Sequence, residues 1–324
     1  MLNDSLALGS LTLKNRLVLP PMQTDRSDRG HVTEAMLDYY RQRAQYSAPG
    51  LIITEHCCVA EAGRADAKQL SLADDAMTAE HRALTEAIHE AGSRVIVQLS
   101  HAGSAAEPFE GGELVSASEL ANPRKKLTRP VRPLSVSEIR GLEEAFVRAA
   151  LRAAEAGYDG VELHSAHGYL FNQFYSPLTN RREDAYGAAS VESRCRFLLE
   201  TAEQVRAELG RDLVLAVRLG GADYLPGGAT EEDAVEACRL LEQAGVQLLD
   251  ISGGMCGYVR AGHTEPGYFS SMTEKIKSAV SVPVLLTGGV RTLADADRLL
   301  TEGKADLIGV GRALYRDPHW AEKQ

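Results

Sequence analysis

The sequence has no run of about 18 consecutive apolar residues, the length a membrane-spanning helix needs. Its first residues, Met1 to Ser5, lack the basic segment and apolar core of a secretory leader. A soluble, cytoplasmic protein with no membrane partner is expected. Basic charge is also in short supply. Lys and Arg number 35 against 45 Asp and Glu, for a formal net charge of −10. Nucleic-acid binders carry a basic stripe, so no nucleic-acid partner is expected, and the acidic excess reads as solubility. Cysteine is scarce. The five residues, Cys57, Cys58, Cys195, Cys238 and Cys256, are odd in number and match no zinc or iron–sulfur spacing. Reduced thiols and no metal are expected. No linker or low-complexity tract divides the chain.

What is present is ordinary globular material: 324 residues, 44% hydrophobic and 25% charged. Eight short Val/Ile/Leu-rich runs, at 16–19, 51–54, 95–99, 160–164, 213–219, 247–252, 282–287 and 306–310, alternate with helical patterns. Nearly continuous apolar runs mark parallel strands covered on both faces. The clearest helices are predicted at 33–46, 78–91, 137–156, 192–209, 230–244 and 292–302. They open on Thr78, Ser137 and Thr230 and stop near Gly92, Gly157, Gly210, Gly245 and Gly303. The alternation allows a doubly wound sheet or a closed barrel; its count and even spacing favour the barrel. The predicted fold is therefore α/β, a single (β/α)8 TIM barrel over residues 1–324. A hairpin at 6–13 should close its bottom, and a capping excursion at 101–134 should follow strand three.

Active sites in such barrels are built at the C-terminal ends of the strands. Gly288, Gly289 and Gly311 stand at the ends of strands seven and eight, where backbone N–H groups can approach an anion. Arg312 adds a charged donor, and the following helix start adds positive field. Tight turns beside a surface arginine are the plainer reading. Strand four ends in His164, His167 and Tyr169. If residues 165–168 turn the chain, two imidazoles and a phenol converge over the mouth, able to grip a carbonyl or nitro oxygen and deliver a proton. A structural histidine pair or a metal site are the alternatives. Gln98 presents an in-plane donor and acceptor suited to a flavin pyrimidine edge, or else is a bonded core glutamine. Arg218 points into the barrel and needs a buried anion: a reduced flavin, or a strand-end acid such as Glu55.

Together these residues resemble the Old Yellow Enzyme family over nearly the whole chain. The matching segments are Lys14-Asn15-Arg16-Leu17-Val18-Leu19-Pro20-Pro21-Met22, Val97-Gln98-Leu99-Ser100-His101-Ala102-Gly103 and Gly309-Val310-Gly311-Arg312. The most specific is Glu162-Leu163-His164-Ser165-Ala166-His167-Gly168-Tyr169-Leu170, followed by Asn180, Arg182, Asp184 and Tyr186. Within the family the chain resembles the flavin barrel of the 2,4-dienoyl-CoA reductase-like branch, without that branch's iron–sulfur and second flavin domains. The resemblance implies FMN as cofactor and NADH or NADPH as electron donor. It implies an activated alkene (enone, enoate or nitroalkene) as the substrate, reduced by ping-pong hydride transfer through flavin N5. Pro21, Met22, Gln23 and His56 would meet the flavin ring, Gln98 its pyrimidine edge and Arg218 its N1/O2 side. Gly288, Gly289, Gly311 and Arg312 would hold the phosphate. His164 and His167 would bind the substrate oxygen, and Tyr169 would donate the proton.

Several features depart from the family pattern. Gln23 and Thr24 occupy the place of a cysteine, threonine or histidine. His56 replaces a small or aromatic residue. Tyr186-Gly187-Ala188-Ala189 lacks a double glycine. The basic run Arg124-Lys125-Lys126, with Arg129 and Arg132, reads as a solvated face or a contact for a cofactor or CoA phosphate. An amine dehydrogenase or demethylase on the same scaffold, and a flavin-free phosphate-binding isomerase or aldolase, are competing readings. Relatives range from monomers to larger assemblies, so a homo-oligomer is left open.

Overall fold

A computed structural model describes residues 1–108, 112–126 and 129–323. Eight parallel strands close on themselves: β1 Leu17–Leu19, β2 Leu51–Cys58, β3 Arg94–Ser100, β4 Gly160–Ser165, β5 Val214–Ala222, β6 Leu248–Gly253, β7 Val284–Thr287 and β8 Leu307–Gly309. Each pairs with the next, except that β1 also pairs with β8, at Leu17↔Ile308 and Val18↔Gly309, which closes the barrel. Nearly all strand residues are buried, as the continuous apolar runs require.

Side-chain alternation divides the interior into layers. Val18, Leu51, Ile53, Ile96, Val214, Ala216, Leu248, Leu285 and Leu307 fill the lower barrel. Leu8 and Leu13 of the antiparallel hairpin Leu6–Leu8/Leu11–Leu13 plug it from below. Two residues further along their strands, on the same face, Ile96 gives way to Gln98, Ala216 to Arg218 and Leu248 to Asp250. The barrel interior thus turns polar just beneath its mouth, and Glu162 on β4 joins this layer.

Strand β2 breaks the alternation. From Ile53, strict period two aims Glu55 inward, but the register against β3 shifts between Thr54 and Cys57. This bulge turns His56 to the mouth and Glu55 away from it. Glu55 accepts from Thr24 Oγ1 at 2.6 Å and from the Thr24 N–H at 3.0 Å. Burial raises its carboxyl to about 7.

The helices mostly lie where expected, with some corrections. The helix after β3 spans Val136–Glu155 and is capped by Ser135, not Ser137, in a capping box with Glu138. Thr78 is already helical, and Asp74 caps the turn before it. The first helix ends at Gln42 and passes into a π turn over Arg43–Ser47. Periodicity missed Leu170–Tyr175 and Ser270–Lys277. The first is buried all round and therefore carries no amphipathic stripe. The excursion at 101–134 holds a parallel strand pair, Leu114–Ser116 with Val131–Pro133; residues 109–111 and 127–128 lie outside the described residues, as does Gln324. No helix among the described residues is long and apolar enough to cross a membrane.

Two glycine substitutions should have opposite effects. A Cβ on Gly160 would meet the Val214 carbonyl oxygen at 2.2 Å across β4 and β5, whereas one on Gly141 meets nothing within 4 Å. Gly160→Ala should cost about 1–3 kcal/mol through overpacking. Gly141→Ala, in an exposed helical turn, should add about 0.5–1 kcal/mol. Urea midpoints of the two variants against the parent read both signs.

Candidate active site

The strand ends surround one cavity of about 460 Å³, within the usual range of about 300–1,000 Å³ for ligand sites. All thirteen residues singled out in the sequence for catalysis or cofactor binding line it: Pro21, Met22, Gln23, His56, Gln98, His164, His167, Tyr169, Arg218, Gly288, Gly289, Gly311 and Arg312. Sequence reasoning missed Tyr258, Tyr268, Thr287 and Tyr315, and left Arg124 as part of a solvated face or a contact for a cofactor or CoA phosphate; Arg124 is exposed, and all five also line the cavity. Tyr258 and Tyr268 come from loops with no periodic pattern, and Tyr315 from the five-residue helix after β8. Their only advance signal was position after a strand.

The floor is charged. Arg218 Nε lies 3.2 Å from Asp250 Oδ2, both almost wholly buried, and Arg218 Nη1 donates to the Pro21 carbonyl at 3.3 Å. Glu55, the strand-end acid offered as the alternative to a flavin partner, is not available, because the β2 bulge has turned it outward. Glu162 stands beside them with no exposure. Burial, then the Asp250 charge, pushes its carboxyl far above the usual carboxylate range. Burial lifts Asp250 to about 6 against the pull of Arg218. One cation and two buried carboxyls are neutral overall when Glu162 carries a proton. Gln98 Nε2 donates to Glu162 Oε1 at 2.8 Å, which leaves the Gln98 amide oxygen for a donor in the cavity.

At the mouth, the chain reverses after β4. His167 and Gly168 both adopt left-handed backbone, with φ of 59° and 78°. For a non-glycine residue this costs roughly 1–3 kcal/mol. The reversal brings the three rings together: His164 lies 5.3 Å from His167 and 4.9 Å from Tyr169, centroid to centroid. Ser252 Oγ, at the end of β6, sits 2.8 Å from His167 Nε2. Burial drives both imidazoles far below their ordinary value, with Arg218 adding to the effect, so both are neutral. Burial also raises the Tyr169 phenol, keeping it protonated.

His56 faces Tyr169 at 5.5 Å. The Ala65 N–H donates to Gln69 Oε1 at 2.6 Å, so Gln69 Nε2 donates to His56 Nδ1 at 2.7 Å. The His56 proton therefore sits on Nε2 and is given to Gln23 Oε1 at 3.1 Å. Gln23 Nε2 turns outward to Asp66 at 2.9 Å. Burial lowers His56 to about 4.

The opposite wall is backbone. Gly288 and Gly289 have φ of 155° and 71°, and a Cβ on either would strike Tyr268 within 3 Å. The N–H groups of Gly289 and Gly311 make no hydrogen bond within the described residues. The helix after Gly311, Arg312–Arg316, is five residues long. Its field is thus small, and the wall's donors are free N–H groups and the Arg312 guanidinium. Thr287 Oγ1 and His164 Nδ1 are buried without partners among the described residues. A flat ring with an acceptor–donor edge and an anionic tail fits this donor set. Gln98 and Arg218 would meet one end, and Gly289, Gly311 and Arg312 the other. No group of three metal-ligating side chains occurs among the described residues.

The family block from Asn180 to Tyr186 lies away from the cavity. Asn180 Nδ2 ties the Phe174 and Tyr186 carbonyls, and Arg182 pairs with Asp184, so these residues shape the loop after β4.

Residues 2–324 match the NADH:flavin oxidoreductase / NADH oxidase family. An NADH oxidase of Thermoanaerobacter brockii is 38% identical over 98% of this chain and 49% of its own length. An NADPH dehydrogenase of Geobacillus sp. (strain WCH70) is 35% identical over 99% of this chain and 92% of its own. An old yellow enzyme homologue from Zymomonas mobilis superposes with a TM-score of 0.87 at 30% identity, covering 99% of this chain and 91% of that one. The chain thus spans about half the length of one such relative and most of the other two. Barrel, cavity and sequence agree: the chain belongs to the NADH:flavin oxidoreductase / NADH oxidase family, the Old Yellow Enzyme group, with FMN and a nicotinamide nucleotide as its cofactors.

Proposed function

We propose that residues 1–324 act as one FMN-binding unit that takes electrons from NADH or NADPH and reduces the C=C bond of electron-poor alkenes. The observation that carries this reading is the placement of Tyr169 against His164, with His167 beside them at the cavity mouth. Bound FMN supplies a carrier that accepts hydride from a nicotinamide and passes it to an alkene.

The chain's own residues do the rest. Gly289, Gly311 and Arg312 hold the phosphate, and Gln98 and Arg218 hold the pyrimidine end. Arg218 is the cation that stabilises negative charge there. Gln23, oriented by His56, Pro21 and Met22 meet the ring. With Ser252 donating to His167 Nε2, the His167 proton sits on Nδ1. His164 and His167, both neutral, then donate to the activating oxygen of the substrate. One such donor lowers a barrier by about 3 kcal/mol when charge develops on that oxygen. The Tyr169 phenol, protonated throughout the neutral range, delivers a proton to the carbon α to the activating group.

The charge of the cavity weighs against amine oxidation. Arg124, Arg218 and Arg312 line it, and no carboxylate does among the described residues. A cationic amine would be repelled.

Anaerobic stopped-flow separates the two halves of the cycle. Purified protein should be yellow and reducible by a nicotinamide. Tyr169→Phe should slow reoxidation by cyclohexenone roughly 10²–10⁴-fold, the usual worth of a placed general acid, while flavin reduction keeps its rate. Equal slowing of both halves would refute the proton-donor role. Arg312→Ala should weaken FMN retention about 10–100-fold, since a hydrogen bond to a charged group contributes about 1.5–3 kcal/mol; flavin release on dilution measures it. Both imidazoles protonate only far below their ordinary value. Reoxidation should therefore show no histidine-like loss as pH falls from 8 to 6, and a break near 6.5 would contradict the assignment.

A further inference from the structure

Two of the three arginines lining the cavity have work in the reaction above. The third, Arg124, has none. Its backbone N–H donates to Asn122 Oδ1 at 2.9 Å, and Asn122 Nδ2 in turn donates to the Gly168 carbonyl at 2.9 Å. A Cβ on Gly168 would lie 2.6 Å from Arg124 Cγ, and one on Gly257 would lie 2.3 Å from its Nη1. The side chain is therefore seated between the turn that joins His167 to Tyr169 and the loop after β6.

The head group is left with little to hold. Among the described residues its one hydrogen bond is to the Cys256 carbonyl at 3.4 Å, at the outer limit of such bonds. Neighbouring bases of the same excursion do find carboxylates: Lys125 pairs with Glu107, and Arg132 with Glu113 and Glu138. Asp66, whose charge acts on Tyr169 at this mouth, is turned onto Gln23. The Arg124 charge reaches into the site and disfavours protonation of His167. A guanidinium fork seated by glycine contacts, facing a cavity without carboxylates, matches a carboxylate or phosphate in shape and charge.

We propose that Arg124 is a specificity-determining residue that selects alkene substrates carrying an anionic oxygen group, held at the cavity mouth beside Gly168 and Gly257. This rests on the alkene-reductase reading of the same cavity. It narrows the substrate class from electron-poor alkenes in general to unsaturated acids and phosphate-bearing alkenes.

The test uses the FMN-loaded protein, with Arg124→Gln and Arg124→Lys. Trans-cinnamate and its methyl ester are titrated against the oxidised flavin absorbance to give dissociation constants, and NADH and NADPH are titrated in the same way. The parent should prefer the acid over the ester. Arg124→Gln should lose that preference by roughly 10–100-fold, the size expected for a charge-assisted bond, and Arg124→Lys should restore part of it. An acid-to-ester ratio unchanged in Arg124→Gln would overturn the proposal. So would a loss confined to NADH or NADPH, which would put the anion on the electron donor. Reoxidation of the reduced flavin by either compound is scored separately. If neither compound reoxidises it, the alkene reading fails, while the titration still reports on Arg124.

Discussion

The cation buried at the barrel floor is the constraint on which the site depends. Removing a guanidinium from water is costly unless it is paired. Arg218 meets that requirement with Asp250 at 3.2 Å and the Pro21 carbonyl at 3.3 Å. The pairing fixes its height in the barrel and ties β5 to β6 and to the segment after β1. Glu162 completes the layer. Because it stays protonated, the floor presents one positive edge without a net buried charge, and it orients Gln98 through a 2.8 Å hydrogen bond. Everything that meets a ligand from below is held by this layer, and the layer rests on the apolar plug beneath it.

The mouth is held differently. Its rings ride on the chain reversal after β4, where His167 and Gly168 take left-handed backbone. Neighbouring elements hold that strained turn from three sides. Ser252 bonds the His167 ring, Asn172 accepts the Gly168 N–H at 2.8 Å, and Asn122 donates to the Gly168 carbonyl. Strain at a functional turn persists only where surroundings over-determine it, and these contacts come from β6, the helix Leu170–Tyr175 and the capping excursion. The same excursion carries Arg124, so the segment that braces this turn also supplies the rim charge.

Much of the barrel was legible because parallel strands need apolar runs and helices need caps. All eight strands fell within a few residues of their places, and the helix-ending glycines adopt positive φ. The cluster Gln98, His164, His167, Tyr169, Arg218 and Arg312 could be picked out because strand ends in a barrel converge. What failed did so for local reasons. Glu55, named as one strand-end acid that could answer Arg218, is turned away by the β2 bulge, and Asp250 takes that place. The helix Leu170–Tyr175 has no polar face to reveal it.

The sequence by itself determined the order of elements, the inward-facing polar layer and the residue types able to bind a flavin and move a proton, since these follow from periodicity and side-chain chemistry along one strand at a time. Only the tertiary structure decided which carboxylate answers Arg218, which nitrogen of His56 bears its proton, and that Arg124 leans into the cavity. Each of those depends on contacts between segments far apart in the chain, and a one-dimensional pattern carries no distances between them.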